Sequence, residues 1–224
     1  MVKAAGEKSD DPLLRRPFSI HRVAGDTLTL IFKIVGRGTH NLSRMASGDV
    51  AELIGPLGNG FKIQEKAEFH YLVGGGMGVA PLLFLAETIR ARMPDAHVVA
   101  LVGARTASEL DNFRGLYDVP DIEIKVATDD GSAGHHGFVT ELLEHEIKGK
   151  KGIHVYCCGP QMMMEKVARQ CRVHGVNCQV SLEAHMACGI GACLGCAVSC
   201  AGEEKKYLHV CKDGPVFEAG RVWP

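Results

Sequence analysis

The 224 residues suffice for one large domain or two small ones with their own cores. An apolar fraction of 46%, a charged fraction of 23% and a net charge of -1 are those of an ordinary soluble globular chain. They give no support to nucleic acid or an anionic membrane as partner. Nine cysteines without the apolar core of a signal peptide in MVKAAGEKSDDPLL point to a reducing, cytoplasmic setting. Metal or redox use of thiols is favoured there over disulfides. The most apolar stretch, Tyr71 to Ala86, is broken by four glycines and Pro81, which argues against a membrane span.

Residues 1 to 12 are small and polar and predict a poorly ordered start. Leu14 to His21 and Thr27 to Val35 read as β-strands joined by an Ala24-Gly25-Asp26 turn. GTHNLSRMASGD predicts a short helix closed by Ser47-Gly48, followed by a strand over Asp49 to Ile54. GPLGNGF is glycine-rich punctuation that ends this block near residue 65. Short strands with tight turns predict a small antiparallel barrel over 1-65.

From Phe69 the rhythm changes. FHYLV, HVVALVG, IEIKVAT, IHVYCCG and VNCQVSLE read as five buried strands. Helices are predicted between them: Leu82 to Arg92, TASELDNFRGL, FVTELLEHEI and QMMMEKVARQCRVH. Such alternation predicts an α/β unit over 66-183, with a parallel sheet covered on both faces by right-handed crossovers. Ligands of such sheets bind beyond the carboxyl ends of the strands, so GGGMGVAP, ATDDGSAGHHG and CCGPQMM are the loops to read. Gly74, Gly75, Gly76, Met77 and Gly78 stand between a strand and a helix, where bare amides receive a pyrophosphate. A glycine turn can equally serve to pack a strand against a helix. Cys158-Gly159-Pro160 closes the fourth strand in the same manner, and the two loops together would form one dinucleotide cleft. Pro81 early in its helix loses no needed donor.

Other features have plainer readings. Arg15-Arg16-Pro17-Phe18-Ser19 offers cations for a phosphate, but on chemistry alone it reads as the solvated face of an edge strand. His135-His136 is a solvated loop, since no third ligand stands at a useful spacing. Met162, Met163 and Met164 read as core, as do Cys157, Cys158, Cys171 and Cys178. Asp129 and Asp130 would either meet a ribose or cap the next turn.

The chain ends on its most specific feature. Cys188, Cys193 and Cys196 follow C-x4-C-x2-C, and Cys211 comes after fourteen intervening residues. This is the plant-type 2Fe-2S spacing, four thiolates for two irons. Gly189, Gly191 and Gly195 supply backbone that can wrap a cluster and turn its amides toward sulfur. A structural zinc site is the alternative, although it would normally pair two C-x2-C knuckles. Cys200 is a rival ligand by proximity. The region 184-224 is thus a cluster-binding segment.

RRPFSI, GRGT, GPLGNGF, GGGMGVAPL, CGPQMM and CGIGACLGC...CKDGPVF, in this order, resemble the ferredoxin reductase-like flavoproteins. Within them the chain is similar to the electron transfer subunits of type B dihydroorotate dehydrogenases, over roughly residues 11 to 224. The resemblance implies FAD on the barrel, NAD on the parallel sheet and a 2Fe-2S cluster in the tail. It implies that Arg16, Pro17, Phe18 and Ser19 hold the flavin and its phosphates, which reverses the solvated reading of that strand. Ile31, Phe32 and Lys33 would line the flavin, and Gly38 and Thr39 would meet its pyrophosphate. Gly74 to Gly78 and Cys158, Gly159, Pro160 and Met162 would flank the nicotinamide nucleotide.

Function follows from the same resemblance. A partner subunit oxidises dihydroorotate on FMN, in a heterotetramer of two plus two, as a step of pyrimidine biosynthesis. Electrons pass through the cluster to FAD, which collects two and delivers a hydride to NAD+. No acid-base catalytic residue is implied in this chain. Family members carry further barrel strands ahead of DPLLRRPFSI, so an incomplete barrel and weakened FAD retention are expected. Three readings compete. One is the small subunit of an NADH-dependent ferredoxin:NADP oxidoreductase or a sulfide dehydrogenase. A zinc-stabilised binding module is another. A redox sensor is the third, with no DNA-reading element to support it.

Overall fold

A computed structural model describes residues 1–4, 12–113, 115, 119–203 and 206–224. Its centre is a seven-stranded sheet formed by β5 (Phe69–Gly75), β6 (His97–Ala104), β7 (Ile122–Thr128), β8 (His135–His136), β9 (Ile153–Cys158), β10 (Asn177–Ser181) and β13 (Val216–Glu218). The order is β13-β10-β9-β5-β6-β7-β8, parallel throughout except for β13, which runs antiparallel to β10. All five predicted strands lie side by side in its middle. The five-stranded expectation is corrected to seven, because two short edge strands come from segments without strand patterning. One of them holds His135 and His136, read above as a loop.

The central strands β5, β6 and β9 are near-continuous apolar runs because both faces are covered. On one face Leu72, Ala100, Val102 and Tyr156 pack with Leu82, Leu83, Ala86 and Ile89 of α2 (Ala80–Arg92). On the other, Tyr71, Val73, Val99, Leu101 and Val155 pack with α3 (Val139–Ile147) and α4 (Gln161–Val173). Helix α4 buries Met164, Val167, Ala168 and Cys171, the i, i+3, i+4, i+7 stripe of one face. It stops at Gly175, whose φ of +66° lets the Val176 amide reach back to the Cys171 carbonyl (2.8 Å) and its own to Arg172 (3.2 Å). The predicted TASELDNFRGL helix is a 3-10 turn over Ala107–Phe113, and its remaining positions 114 and 116 fall outside the described residues.

The N-terminal block departs further from expectation. Val2–Ala4 (β1), within a stretch read as poorly ordered, pairs antiparallel with Ala51–Leu53 (β4). Arg22–Ala24 (β2) pairs with Thr27–Thr29 (β3). The long strands predicted over 14–21 and 27–35 shrink to a single bridge from Arg16 to Val2 and to the three residues of β3. Strand propensity needs a ladder partner and a covered face, and Val23, Leu28, Ile34 and Val35 stay exposed. Among the described residues the block therefore holds two short ladders rather than a closed barrel. The predicted helix does form, as α1 (Arg37–Ser43).

The tail folds back on the sheet. β11 (Ala197–Ser199) and β12 (Tyr207–His209) make a hairpin, and Cys196, Leu208, Val210, Cys211 and Phe217 join the core on the α3/α4 face. Cys157, Cys171 and Cys178 are buried in that core and Cys158 beside it, as expected. No helix among the described residues is long and apolar enough to cross a membrane.

Candidate functional site

The connections from β5 run outward through β6 to β7, then return to β9 on the other side of β5. The strand order thus reverses between β5 and β9, and the crevice beyond their carboxyl ends is where such sheets take ligands. A cavity of about 740 Å³ opens there. Gly75, Gly76, Met77 and Gly78 line one side, Gly159, Pro160, Gln161 and Met164 another. The loops touch closely enough to explain their composition. A Cβ on Gly78 would stand 2.2 Å from the Cys158 carbonyl oxygen, and one on Gly75 would stand 2.6 Å from the Met163 sulfur. Gly159, at φ +156°, closes the contact against Gly75. The glycine loop is also a 3-10 turn (Gly76–Val79) leading straight into α2, so amides are left without helical partners at the mouth of the cavity.

Opposite these loops the wall belongs to the tail: Ala197, Val198 and Ser199 of β11, Tyr207 of β12, and Val222 and Trp223. Leu182 and Glu183, just past β10, complete it. The cluster segment and the nucleotide loops therefore face one another across a single cavity.

The four thiols stand as two pairs. Cys196 and Cys211 are buried with sulfurs 3.2 Å apart, while Cys188 and Cys193 are neighbours nearer the surface. Among the described residues no three His, Cys, Asp or Glu side chains gather around one point suited to a metal ion. Two thiols per iron is the arrangement a two-iron cluster uses. Amides supply the second half of the fit. Ile190 and Cys193 donate to the Cys188 sulfur at 3.5 and 3.4 Å, Gly191 to Cys211 at 3.2 Å, and Cys211 to Cys196 at 3.4 Å. The amides of Ile190 and Cys193 hold the Cys188 thiol down to about 6, so it is a thiolate at neutral pH. Burial, and then the neighbouring Cys196, push Cys211 up to about 11. A bound cation is what would deprotonate that second thiol. The donor set fits a 2Fe-2S cluster. Cys200 lies beyond β11, its sulfur 3.9 Å from Glu203, and takes no part in the pairs.

The flavin candidates form a shallower feature. The Arg16 side chain lies over Gly38, where a Cβ would come within 3.1 Å of Arg16 Nε. Thr39 folds back on the start of α1, its hydroxyl accepting from the Val35 and Gly36 amides at 3.0 and 3.2 Å. Phe18 and Phe32 meet at 5.3 Å between ring centroids, with Ile31 half-buried beside Phe32. Pro17, Ser19 and Lys33 are exposed. Arg16 over the glycine suits a diphosphate, and the exposed apolar side chains of Ile34 and Val35 suit a planar apolar group.

Residues 183–223 match the iron-sulfur cluster binding domain of dihydroorotate dehydrogenase B, and residues 72–169 match the oxidoreductase NAD-binding domain. The dihydroorotate dehydrogenase B (NAD(+)) electron transfer subunit of Caldanaerobacter subterraneus subsp. tengcongensis is 43% identical over 212 residues, 93% of this chain and 81% of the relative. The chain belongs to the family of dihydroorotate dehydrogenase B electron transfer subunits. The Clostridium perfringens member is 41% identical over 96% of the chain and 83% of its own length. Among solved structures, that of an NADH-dependent reduced ferredoxin-NADP oxidoreductase superposes with a TM-score of 0.82 at 31% identity, covering 99% of this chain and 77% of the other. A ferredoxin reductase in carbazole 1,9a-dioxygenase shares the fold, with a TM-score of 0.62 at 21% identity over 78% and 55% of the two chains.

Set beside this family, most of the sequence-derived residues fall together, and some do not. Gly74 lies behind the cavity wall, where a Cβ would meet Leu82 at 2.9 Å. Cys158 offers its carbonyl to the Gly78 contact rather than its thiol, which burial holds up near 12. Met162 is 84% exposed and outside the cavity; Gln161 and Met164 line it instead, because α4 turns those two positions inward. The reading of Met162 as core is corrected on the same ground. Asp130 caps its turn, accepting from the Ser132 amide at 3.0 Å and from its hydroxyl.

Sequence reasoning missed Tyr207 and Trp223, which reach the cavity only through the fold-back of the tail, and Glu183, which stands there just past β10. It also read GPLGNGF as punctuation. That segment clasps the cluster loop. The Asn59 amide donates to the Gly214 carbonyl (2.6 Å), Asn59 Nδ2 to the Lys212 carbonyl (2.9 Å), and Val216 N to the Asn59 carbonyl (3.3 Å). Gly58 sits at φ +72°, where a Cβ would be 2.5 Å from the Gly214 carbonyl oxygen.

Proposed function

We propose that this chain is the electron transfer subunit of an NAD-linked dihydroorotate dehydrogenase, serving pyrimidine synthesis in the cytoplasm. It would carry electrons between an FMN-bearing catalytic subunit, in a heterotetramer of two plus two, and NAD+. The observation that carries this reading is the shared cavity, with the nucleotide loops on one wall and the cluster segment on the other. Residues 1-65 would seat the flavin, 66-183 the nicotinamide nucleotide and 184-224 the cluster.

Each part of the chain then has a defined task. Cys188, Cys193, Cys196 and Cys211 hold the irons, and the amides of Ile190, Gly191 and Cys193 set the charge that the sulfurs carry. Gly75 to Gly78 and Gly159 bring backbone amides to the pyrophosphate, Pro160 lines the cavity beside them, and the Gly78–Cys158 contact excludes water. Arg16 with Gly38 and Thr39 holds the flavin diphosphate, and Phe18, Phe32 and Ile31 shield the ring system. When bound, FAD supplies the exchange between one-electron and two-electron chemistry. The protein contributes spacing and potential rather than a proton shuttle. Ile190 and Leu194, both exposed on the loop that holds the Cys188–Cys193 pair, support docking of a partner at that end.

The test is the visible spectrum of anaerobically purified chain before and after NADH. Flavin bands over a broad iron-sulfur shoulder, bleached by NADH, are expected. So is NADH-dependent diaphorase activity without orotate production. A colourless, freshly made protein would return the site to zinc. The likeness to the NADH-dependent ferredoxin-NADP oxidoreductase structure favours one second reading, a subunit of that kind of enzyme. Co-purification with a dihydroorotate-oxidising FMN subunit separates the two.

A further inference from the structure

Strands β5 and β6 end level with one another, Gly75 opposite Gly103. A dinucleotide whose pyrophosphate rests on the glycine loop after β5 has its adenosine half left to cross the end of β6. In dinucleotide-binding sheets the end of the second strand reads the 2′ position of the adenosine ribose, a carboxylate for the hydroxyl or an arginine for a phosphate. Both residue types stand here. Arg105 leaves the end of β6, and Glu109 follows four residues later on the 3-10 turn Ala107–Phe113.

Their geometry decides which one is available. Arg105 turns its guanidinium onto Glu109, with Nε 2.9 Å from Oε1 and Nη2 also bonded to that oxygen. The second carboxylate oxygen accepts the Arg105 amide at 3.0 Å. The fork that would grip a phosphate is thus filled by the protein's own carboxylate. The turn is pinned in place: the Glu109 amide donates to the Thr106 carbonyl at 3.1 Å, and the Ala107 amide to the Ser132 hydroxyl at 2.8 Å. Asp129, at the end of β7, lies within electrostatic reach of Arg105, and Lys33 from the N-terminal block within reach of Glu109.

We propose that Glu109 makes this chain select NAD(H) over NADP(H), by occupying the Arg105 guanidinium and presenting a carboxylate where a 2′-phosphate would stand. A 2′-phosphate then meets Glu109 and Asp129 and finds no open guanidinium, whereas a 2′-hydroxyl can donate to Glu109. The proposal rests on the dinucleotide reading of the β5 loop given above, and it adds the residue that chooses between the two coenzymes.

The experiment uses the full chain, purified anaerobically with its colour as a check on folding. Binding of ADP-ribose and of 2′-phospho-ADP-ribose is measured by calorimetry, and NADH and NADPH oxidation by diaphorase assay. Wild type should prefer the forms without the phosphate. In Glu109→Gln the preference should fall at least tenfold, by a gain for the phosphorylated ligand. Glu109→Gln with Arg105→Ala should lose that gain. An unchanged preference in Glu109→Gln, an equal gain in the double variant, or a wild-type preference for the phosphorylated ligand would overturn the proposal. If neither nucleotide is oxidised while ADP-ribose still binds, the electron-transfer reading falls and the calorimetric comparison still decides the role of Glu109. If neither ADP-ribose form binds to wild type or variant, both are wrong.

Discussion

Cys188 and Cys211 are equal partners in the spacing pattern yet meet opposite surroundings, one held as a thiolate by amides and the other buried and held protonated. Cys211→Ser should therefore abolish the iron-sulfur absorbance, and Cys200→Ser should leave it intact; retention of colour in the first variant would break the ligand assignment. The four cysteines were legible because a ligand spacing is a local fact of the chain. A second residue-scale effect was not legible. His70 and His154 face each other on β5 and β9 as buried neighbours, and Nε2 of each lacks a partner. Burial, and then the nearby His70, lower the His154 pKa to about 4. The unfolded chain takes up this proton first, near pH 6.5, so His154 costs nothing above that pH and removes stability as the pH falls toward about 4. The loss amounts to about 3 kcal/mol when complete. His154→Leu should flatten the acid limb of thermal stability between these pH values, and an unaltered slope in calorimetric scans would assign that limb to other groups.

Elements differ in how far the sequence announces them. The five parallel strands are legible because the central ones, β5, β6 and β9, are apolar runs buried on both faces, while the N-terminal strands were overdrawn because β-branched runs there find few ladder partners. Short contacts between loops are the least visible class. Gly58 illustrates this: its neighbours in the fold, Gly214 and Pro215, are more than 150 residues away. Gly58→Ala combines a strained positive φ with a collision against backbone, and it should cost about 1–3 kcal/mol. The expected outcome is faster cluster loss on incubation with a chelator, read as decay of the visible absorbance. Decay at the wild-type rate would show that the clasp does not support the Cys211 loop.

At the scale of the molecule, the cluster segment and the sheet do not have separate interiors. Cys196 and Cys211 lie in the same core as Val155, Val180 and Leu143, and the chain leaves the cluster loop directly into β13 on the edge of the sheet. That edge strand shields the backbone of β10, which would otherwise present unpaired donors and acceptors. Iron supply then governs more than colour. A chain made without iron is expected to hold its last strand by the β10 ladder and the burial of Phe217 alone, and so to open that sheet margin to proteases more often. Iron-starved cells should contain less of the folded subunit at unchanged message level, with a shorter half-life in a pulse-chase measurement. An equal half-life with and without iron would mean that the strand stays docked on its own.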